Sequence, residues 1–333
     1  MFDRRKILIT LGFTFFIIGC GTLTKNESKQ ANPIRIGIQN STIVSLILIA
    51  QKEGYFEDQG LRVELVSYPS GKLALLGLKE GEVDAATVAD MPLMAFGPDI
   101  PSKIIGVIAD TRNGAWITAR RDAGIEHPED LAGKKIGTQK NSAVHFFLDM
   151  FLLKHELEPG KDCDVKFLPA EELPSALEKG QIDAFSMRNP FSNEAKALLG
   201  DDVIIEFYSD VYLQHFCLTI RDDWFPENPE LKTSLLEALH RAGELIAKNK
   251  GVAIELVVDY LGEARRPEIL RDWKNVNIGH VTLGQNLILT LEQEAVWFQD
   301  TKESQDSARF NYLKIIDTTP LKTVHPKAVQ LIK

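Results

Sequence analysis

The sequence predicts an α/β protein of two related lobes with a ligand cleft between them. Two observations carry this expectation. From Ile34 onward, short apolar runs alternate with amphipathic stretches, the pattern of a largely parallel sheet covered by helices. The alternation then restarts after Gly133 with a shared local signature. Leu78-Lys-Glu-Gly81-Glu-Val-Asp84-Ala85 and Leu177-Glu-Lys-Gly180-Gln-Ile-Asp183-Ala184 lie 99 residues apart. In each, glycine closes a helix, aspartate occupies the turn and alanine opens a buried strand.

The first passage reads as strand 34–38, helix 43–53, strand 61–66, helix 73–80 and strand 85–88. The second reads as strand 134–138, helix 143–156, strand 164–168, helix 171–179 and strand 182–186. Pro92 and Pro190 follow the two third strands, where a proline suits the first turn of a helix. The second lobe ends near 203–208, and 215–221 reads as a strand returning to the first. Beyond Pro226 the chain is mostly helical, with an amphipathic stretch at 283–299. These readings assign 34–115 and 220–333 to lobe 1, and 116–219 with the crossover segments to lobe 2. Ligands of open α/β sheets lie at the carboxyl ends of the strands, where the chain enters its helices.

Composition narrows the function. The 333 residues carry 38 Lys+Arg against 47 Asp+Glu, a net charge of −9. That balance argues against general binding of nucleic-acid backbones, which needs a basic face. Three cysteines are too few for a disulfide scaffold or a four-thiolate zinc site. Walker, HExxH and GxSxG patterns are missing, and the seven histidines show no metal-ligand spacing. Neither a cofactor nor a metal is expected. Cys163 and Cys217 leave two readings open, one disulfide or buried thiols.

The N-terminus reads as an export signal. Arg4, Arg5 and Lys6 precede the apolar run 7–18. As a helix that run rises about 18 Å, short of the ~30 Å hydrocarbon core. It ends Ile17-Ile18-Gly19-Cys20, which resembles a bacterial lipobox and implies a lipid on Cys20. Residues 1–20 are then signal, and the polar 21–33 a flexible tether. Without residues 1–20 the charges become 35 against 46, or −11.

Several passages in order carry a family resemblance: Ile38-Gln-Asn-Ser, Lys52-Glu-Gly-Tyr-Phe56, Ser70-Gly71, 78–86, Asp130-Leu-Ala-Gly-Lys-Lys-Ile-Gly137 and 177–184. Together they resemble the nitrate/sulfonate/taurine-type solute-binding proteins of ABC transporters, a branch that includes thiamine-precursor binders. The resemblance covers roughly 34 to 240. It implies a type II periplasmic-binding-protein fold, a small-molecule solute captured between lobes, and an ABC permease as partner. The expected form is a monomer held outside the cytoplasmic membrane by its lipid anchor. The competing classes are a ligand sensor coupled to a receptor, and an enzyme related to thiamine-pyrimidine synthases. The cysteine-rich iron motif of the latter does not occur here.

The candidate ligand residues sit where helices begin. Gln39, Asn40 and Ser41 precede the first helix, Ser70 and Gly71 the second, and Asp90 the third. Asn141, Ser142 and Asn189 do the same in the other lobe. Helix N-termini present unpaired N–H groups and suit sulfonate, carboxylate, nitrate or phosphate. Simple capping is the alternative for these residues.

Arg188 offers a guanidinium at the end of a buried strand, suited to a bidentate anion contact. Its alternative is an ion pair with Asp90 or Glu194. The family pattern often has an aromatic followed by an acid here, so the substrate of any one member does not transfer. Trp116 is a candidate for stacking on the ligand or for hinge packing. His145 faces either the cleft or its helix surroundings, and His215 approaches from the second crossover. Asp90 is either a helix cap or a partner for an amine, amide or ring N–H.

Overall fold

A computed structural model describes residues 33–223, 230–300 and 310–332. The signal segment, Cys20 and the tether as far as residue 32 lie outside the described residues.

The chain first lays down β1 (Ile34–Gln39), α1 (Ser45–Lys52), α2 (Tyr55–Asp58), β2 (Val63–Tyr68), α3 (Gly71–Lys79), β3 (Ala85–Ala89), α4 (Asp90–Phe96) and β4 (Ser102–Thr111). It then crosses into β5 (Trp116–Arg120), β6 (Lys135–Thr138), α5 (Ala143–Lys154), β7 (Asp164–Phe167), α6 (Leu173–Glu178), β8 (Ala184–Met187), α7 (Phe191–Leu199) and β9 (Ile204–Phe207). It returns through β10 (Gln214–Arg221). The remainder forms α8 (Glu230–Lys248), α9 (Lys250–Leu261), α10 (Arg266–Asn275), β11 (Val276–Asn277), α11 (Gln285–Asp300) and α12 (Thr319–Val324).

These strands make two sheets, ordered β11-β4-β10-β3-β1-β2 and β7-β6-β8-β5-β9. Counted from β2 and from β7, the five strands follow the same plan. The third and first strands pair in parallel at matching register, Ile36 with Ala85 and Gly37 with Ala86 in one sheet, Ile136 with Ala184 and Gly137 with Phe185 in the other. In each sheet the antiparallel neighbour of the third strand is a crossing strand, β10 or β5. β10 lies wholly in the first sheet, so the second sheet closes at Phe207.

The repeated aspartates show why the signature recurs. Asp84 N–H donates to the Arg35 carbonyl (2.8 Å), and the Asp84 carboxylate accepts from Arg35 N–H (2.9 Å). Asp183 makes the same pair with Lys135, at 2.8 and 2.9 Å. Each aspartate therefore ties the entry of its third strand to the first strand. The crossing strands repeat too: Arg221 N–H reaches the Asp84 carbonyl and Arg120 N–H the Asp183 carbonyl, both at 3.1 Å.

β1 is buried on both faces, as expected for a strand between helical layers. In α1, the run from Leu46 to Ala50 is fully buried. An amphipathic helix is what the sequence suggests there, but α8 and α9 from the C-terminal part cover its outer side. Burial of each such side chain contributes about 1.5–3 kcal/mol. Cys163, just before β7, and Cys217, in β10, are both free and buried. One lies beside the second sheet and the other within the first, so the disulfide reading fails and the buried-thiol reading holds. Among the described residues no helix is long and apolar enough to cross a membrane.

Candidate functional site

A cavity of about 860 Å³ lies between the two lobes. Lobe 1 supplies Gln39, Asn40 and Ser41 at the end of β1, and Ser70 and Gly71 at the start of α3. Lobe 2 supplies Trp116, Asn141, Ser142, Arg188 and Asn189. Ser70 caps α3 by accepting from Leu73 N–H at 3.3 Å, and Ser142 caps α5 by accepting from His145 N–H at 3.4 Å. Both caps therefore also line the cavity, and the two helix starts direct partial positive charge toward it. Gly71 is needed for close approach: a Cβ there would stand 3.0 Å from the Thr87 carbonyl oxygen, in β3. Asn141 carries a positive φ of 53°, a conformation asparagine tolerates better than most residues.

Three expected residues do not line the cavity. Asp90 is fully buried. Its carboxylate accepts from Met91 N–H (2.9 Å), the Tyr212 hydroxyl (2.6 Å) and His215 N–H (2.7 Å). It is a structural acceptor at the start of α4, and no ligand amine is needed to explain it. His215 fails for a reason of period. Gln214 and Phe216 line the cavity, so the side chain between them points to the other face of the sheet. His145 follows Ser142 and Ala143, which line the cavity, but two residues of helix turn it about 200° away. Its ring packs edge-on against Phe167 and Trp297, each at 4.9 Å.

Arg188 does not form the ion pair raised as its alternative. Among the described residues no ion pair or hydrogen bond engages its guanidinium, so the expected pairing with Asp90 or Glu194 is absent. The side chain is open to the cavity yet otherwise ringed by protein. Loss of bulk water pulls its pKa below the ordinary arginine value, while nearby Tyr212 opposes that shift. An arginine remains charged under these conditions. It is a fixed cation looking into the cavity, and no protein carboxylate among the described residues pairs with it.

Trp116 packs within lobe 2 and borders the cavity. Its indole N–H donates to Glu206 at 3.3 Å and its ring meets Tyr208 at 5.4 Å, while the same residue lines the cavity.

One whole wall of the cavity has no counterpart among the residues expected from sequence. Glu268, Arg271, Asp272 and Asn275 of α10 line the cavity, spaced as one face of a helix. Ile269 and Trp273 bury the opposite face. The helix is pinned to lobe 1 by Thr42, whose hydroxyl donates to Asp272 (2.8 Å), and by Thr111, whose hydroxyl donates to the Asn275 carbonyl (2.8 Å). Burial raises the Asp272 pKa, and the Thr42 bond opposes the rise. Arg265 is consumed by a two-bond pair with Glu268 (3.0 and 2.7 Å) and by the Asn40 carbonyl (2.7 Å). Five basic side chains thus line the cavity, Lys72, Lys140, Arg188, Arg265 and Arg271, against the acids Glu268 and Asp272. The interior is locally positive inside a protein of net charge −9. Apolar surface from Met91, Phe96, Phe216 and Phe298 completes the lining.

Residues 27–258 match the NMT1-like family. The chain belongs to that family. It is 27% identical over 328 residues to a putative aliphatic sulfonates-binding protein of Bacillus subtilis, covering 96% of each chain. Its fold superposes on the periplasmic aliphatic sulphonate binding protein SsuA of Escherichia coli with a TM-score of 0.72 at 18% identity, covering 91% of this chain and 94% of the other. The alkanesulfonate-binding protein SsuA of Xanthomonas axonopodis pv. citri bound to MOPS gives 0.61 at 20% identity, covering 82% and 94%. The architecture is the two-lobed periplasmic-binding-protein fold. The chain is an ABC-type solute-binding protein of the nitrate/sulfonate/taurine kind.

Proposed function

We propose that this protein captures an organic anion with a sulfonate-like head and delivers it to an ABC permease. The observation that carries the reading is Arg188, a cation facing the cavity without a partner among the described residues. The helix starts at Ser70 and Ser142 add N–H donors on opposite sides, so an anion held at the centre is bound by both lobes. Such contacts form together only when the lobes are closed, and a ligand that makes them shifts the equilibrium toward closure.

The cavity volume favours a body beyond the anionic head. A nitrate ion needs space on the order of one or two waters, roughly 30–60 Å³, against about 860 Å³ here. The aromatic and aliphatic lining suits an alkyl or aryl substituent. The Bacillus relative, named for aliphatic sulfonates, supports the same head group. The remaining parts of the reading are a non-enzymatic, monomeric protein outside the cytoplasmic membrane, anchored by lipid on Cys20. Support for these comes from the signal-like start, the lipobox resemblance and the family.

Calorimetric titration with alkanesulfonates, arenesulfonates, nitrate and uncharged isosteres tests the proposal. Binding of organic sulfonates in preference to nitrate and to the isosteres is expected. Selective binding of nitrate, or of an uncharged heterocycle, would overturn the head-and-body reading. Mass spectrometry of the membrane fraction should find a lipidated Cys20 at the N-terminus, and an intact Met1 would refute the anchor.

A further inference from the structure

α11 belongs to lobe 1 but reaches lobe 2. It packs on α4. Thr290 donates to the Leu213 carbonyl in the crossover (3.5 Å), and Glu294 Oε1 lies 2.8 Å from the Tyr212 hydroxyl. One turn later the Trp297 indole N–H donates to Asp149 Oδ2 on α5 of lobe 2, at 2.7 Å. The same ring meets the edges of His145 and Phe146 at 4.9 and 5.4 Å. Among the described residues the other Asp149 oxygen, Oδ1, is buried without a hydrogen-bond partner. A carboxylate is therefore caught in an aromatic contact between lobes, with one donor where bulk water would offer several.

The physical consequence concerns closure. Separating the lobes returns water to Asp149, and bringing them together removes it. Desolvating an ionised carboxylate costs far more than desolvating a neutral one unless it is fully paired. We propose that Asp149 is an acid-sensitive brake on lobe closure, opposing the closed state when ionised and releasing it when protonated.

Among the described residues, no second donor reaches Asp149 Oδ1. On α5, His145 places Nε2 3.7 Å from Asp149, and its Nδ1 accepts from Asn141 N–H. On α11, Glu294 is turned to Tyr212, which is itself bonded to Asp90. Before α5, Lys140 lies over the Phe167 ring at 5.6 Å. Burial raises the Asp149 pKa from 3.8 to about 6, and the Trp297 bond only partly opposes it.

The sign follows from which form closure disfavours. The closed-state pKa lies above that of a solvated aspartate. The contribution to closure is thus full below about pH 4 and lost as pH rises through about 6. A rise from 3.8 to about 6 spans about a hundredfold in the closed-to-open ratio. Residual burial in the open form reduces this to about tenfold.

Small-angle X-ray scattering of the ligand-free full chain between pH 7.5 and pH 4.5 tests the inference without any solute. The wild type should become more compact with acid, its closed-to-open ratio rising about tenfold. Asp149→Asn, which keeps the shape and the acceptor for Trp297, should be compact at every pH. His145→Gln should keep the acid response. A wild type that does not compact overturns the proposal even if no variant folds. An unchanged acid response in Asp149→Asn overturns it as well. Loss of the response in His145→Gln alone would transfer the switch to the imidazole and refute the role of Asp149.

Discussion

Replacing Arg188 with methionine should weaken binding and, in the same molecule, leave the empty protein as stable or slightly more so. These effects have one cause. The guanidinium has no ion-pair partner among the described residues, so its removal strands no buried carboxylate. Replacing unpaired or poorly compensated buried charge with apolar volume is commonly neutral or stabilising. Because the side chain opens onto the cavity, water already screens much of the cost. The expected gain is therefore about 1 kcal/mol or less.

Loss of the ligand contact runs the other way. A hydrogen bond to a charged group contributes about 1.5–3 kcal/mol, which is roughly 10- to 150-fold in the dissociation constant. Chemical denaturation without ligand and calorimetry with an organic sulfonate read the two quantities separately. Arg188→Lys, a point charge without the planar fork, should fall between the parent and the methionine variant. If Arg188→Met destabilises the empty chain by 2 kcal/mol or more, the arginine is structural and the argument fails. Unchanged sulfonate affinity would likewise remove it from the site.

Two further outcomes test the interior. Asp84→Asn should destabilise by about 2–3 kcal/mol in urea denaturation, because it breaks a carboxylate held by Arg35 in a side-chain pair (3.0 Å) and by its N–H. Little or no loss would show that the repeated turn does not depend on charge. Glu294 is fully buried, and desolvation followed by repulsion from Asp90 raises its pKa well above 4.5. The folded form thus binds this proton more tightly than the unfolded chain. Stability from this group is full below about pH 4 and declines as pH rises, by up to about 1.4 kcal/mol per pH unit. Glu294→Gln should flatten that decline in denaturation curves taken from pH 5 to pH 8, and an unaltered slope would contradict the assignment.

The fold was legible because its cause is local and occurs twice. Gly81 and Gly180 adopt left-handed backbone, with φ of 75° and 66°, and Asp84 and Asp183 use their side chains on the first strand of their lobe. Such turns are written in a few adjacent residues. The cavity was legible where it coincides with helix starts, since Ser70 and Ser142 announce a cap by their position alone. It was not legible on α10. Charged residues opposite Ile269 and Trp273 look the same whether that face meets water or a ligand. Only long-range bonds, such as Thr42 to Asp272, decide the matter. Asp90, His145 and His215 misled because sequence proximity to a helix start does not fix direction. A rotation of 200° or a single step along a strand sends a side chain to the other side.

The position of β10 has a consequence for the order in which the chain can fold. The second sheet uses strands drawn from one continuous segment, β5 through β9, between Trp116 and Phe207. The first sheet cannot close at the same stage, because β10 must enter between β3 and β4 after the entire second lobe has been made. Its closing contacts join residues more than a hundred positions apart, as where Thr219 donates to the Lys103 carbonyl. Long-range closures of this kind are slow and leave apolar strand edges exposed in the interval. The later lobe in sequence is thus free to become structured first, while the earlier one waits with a gap in its sheet for the strand that returns.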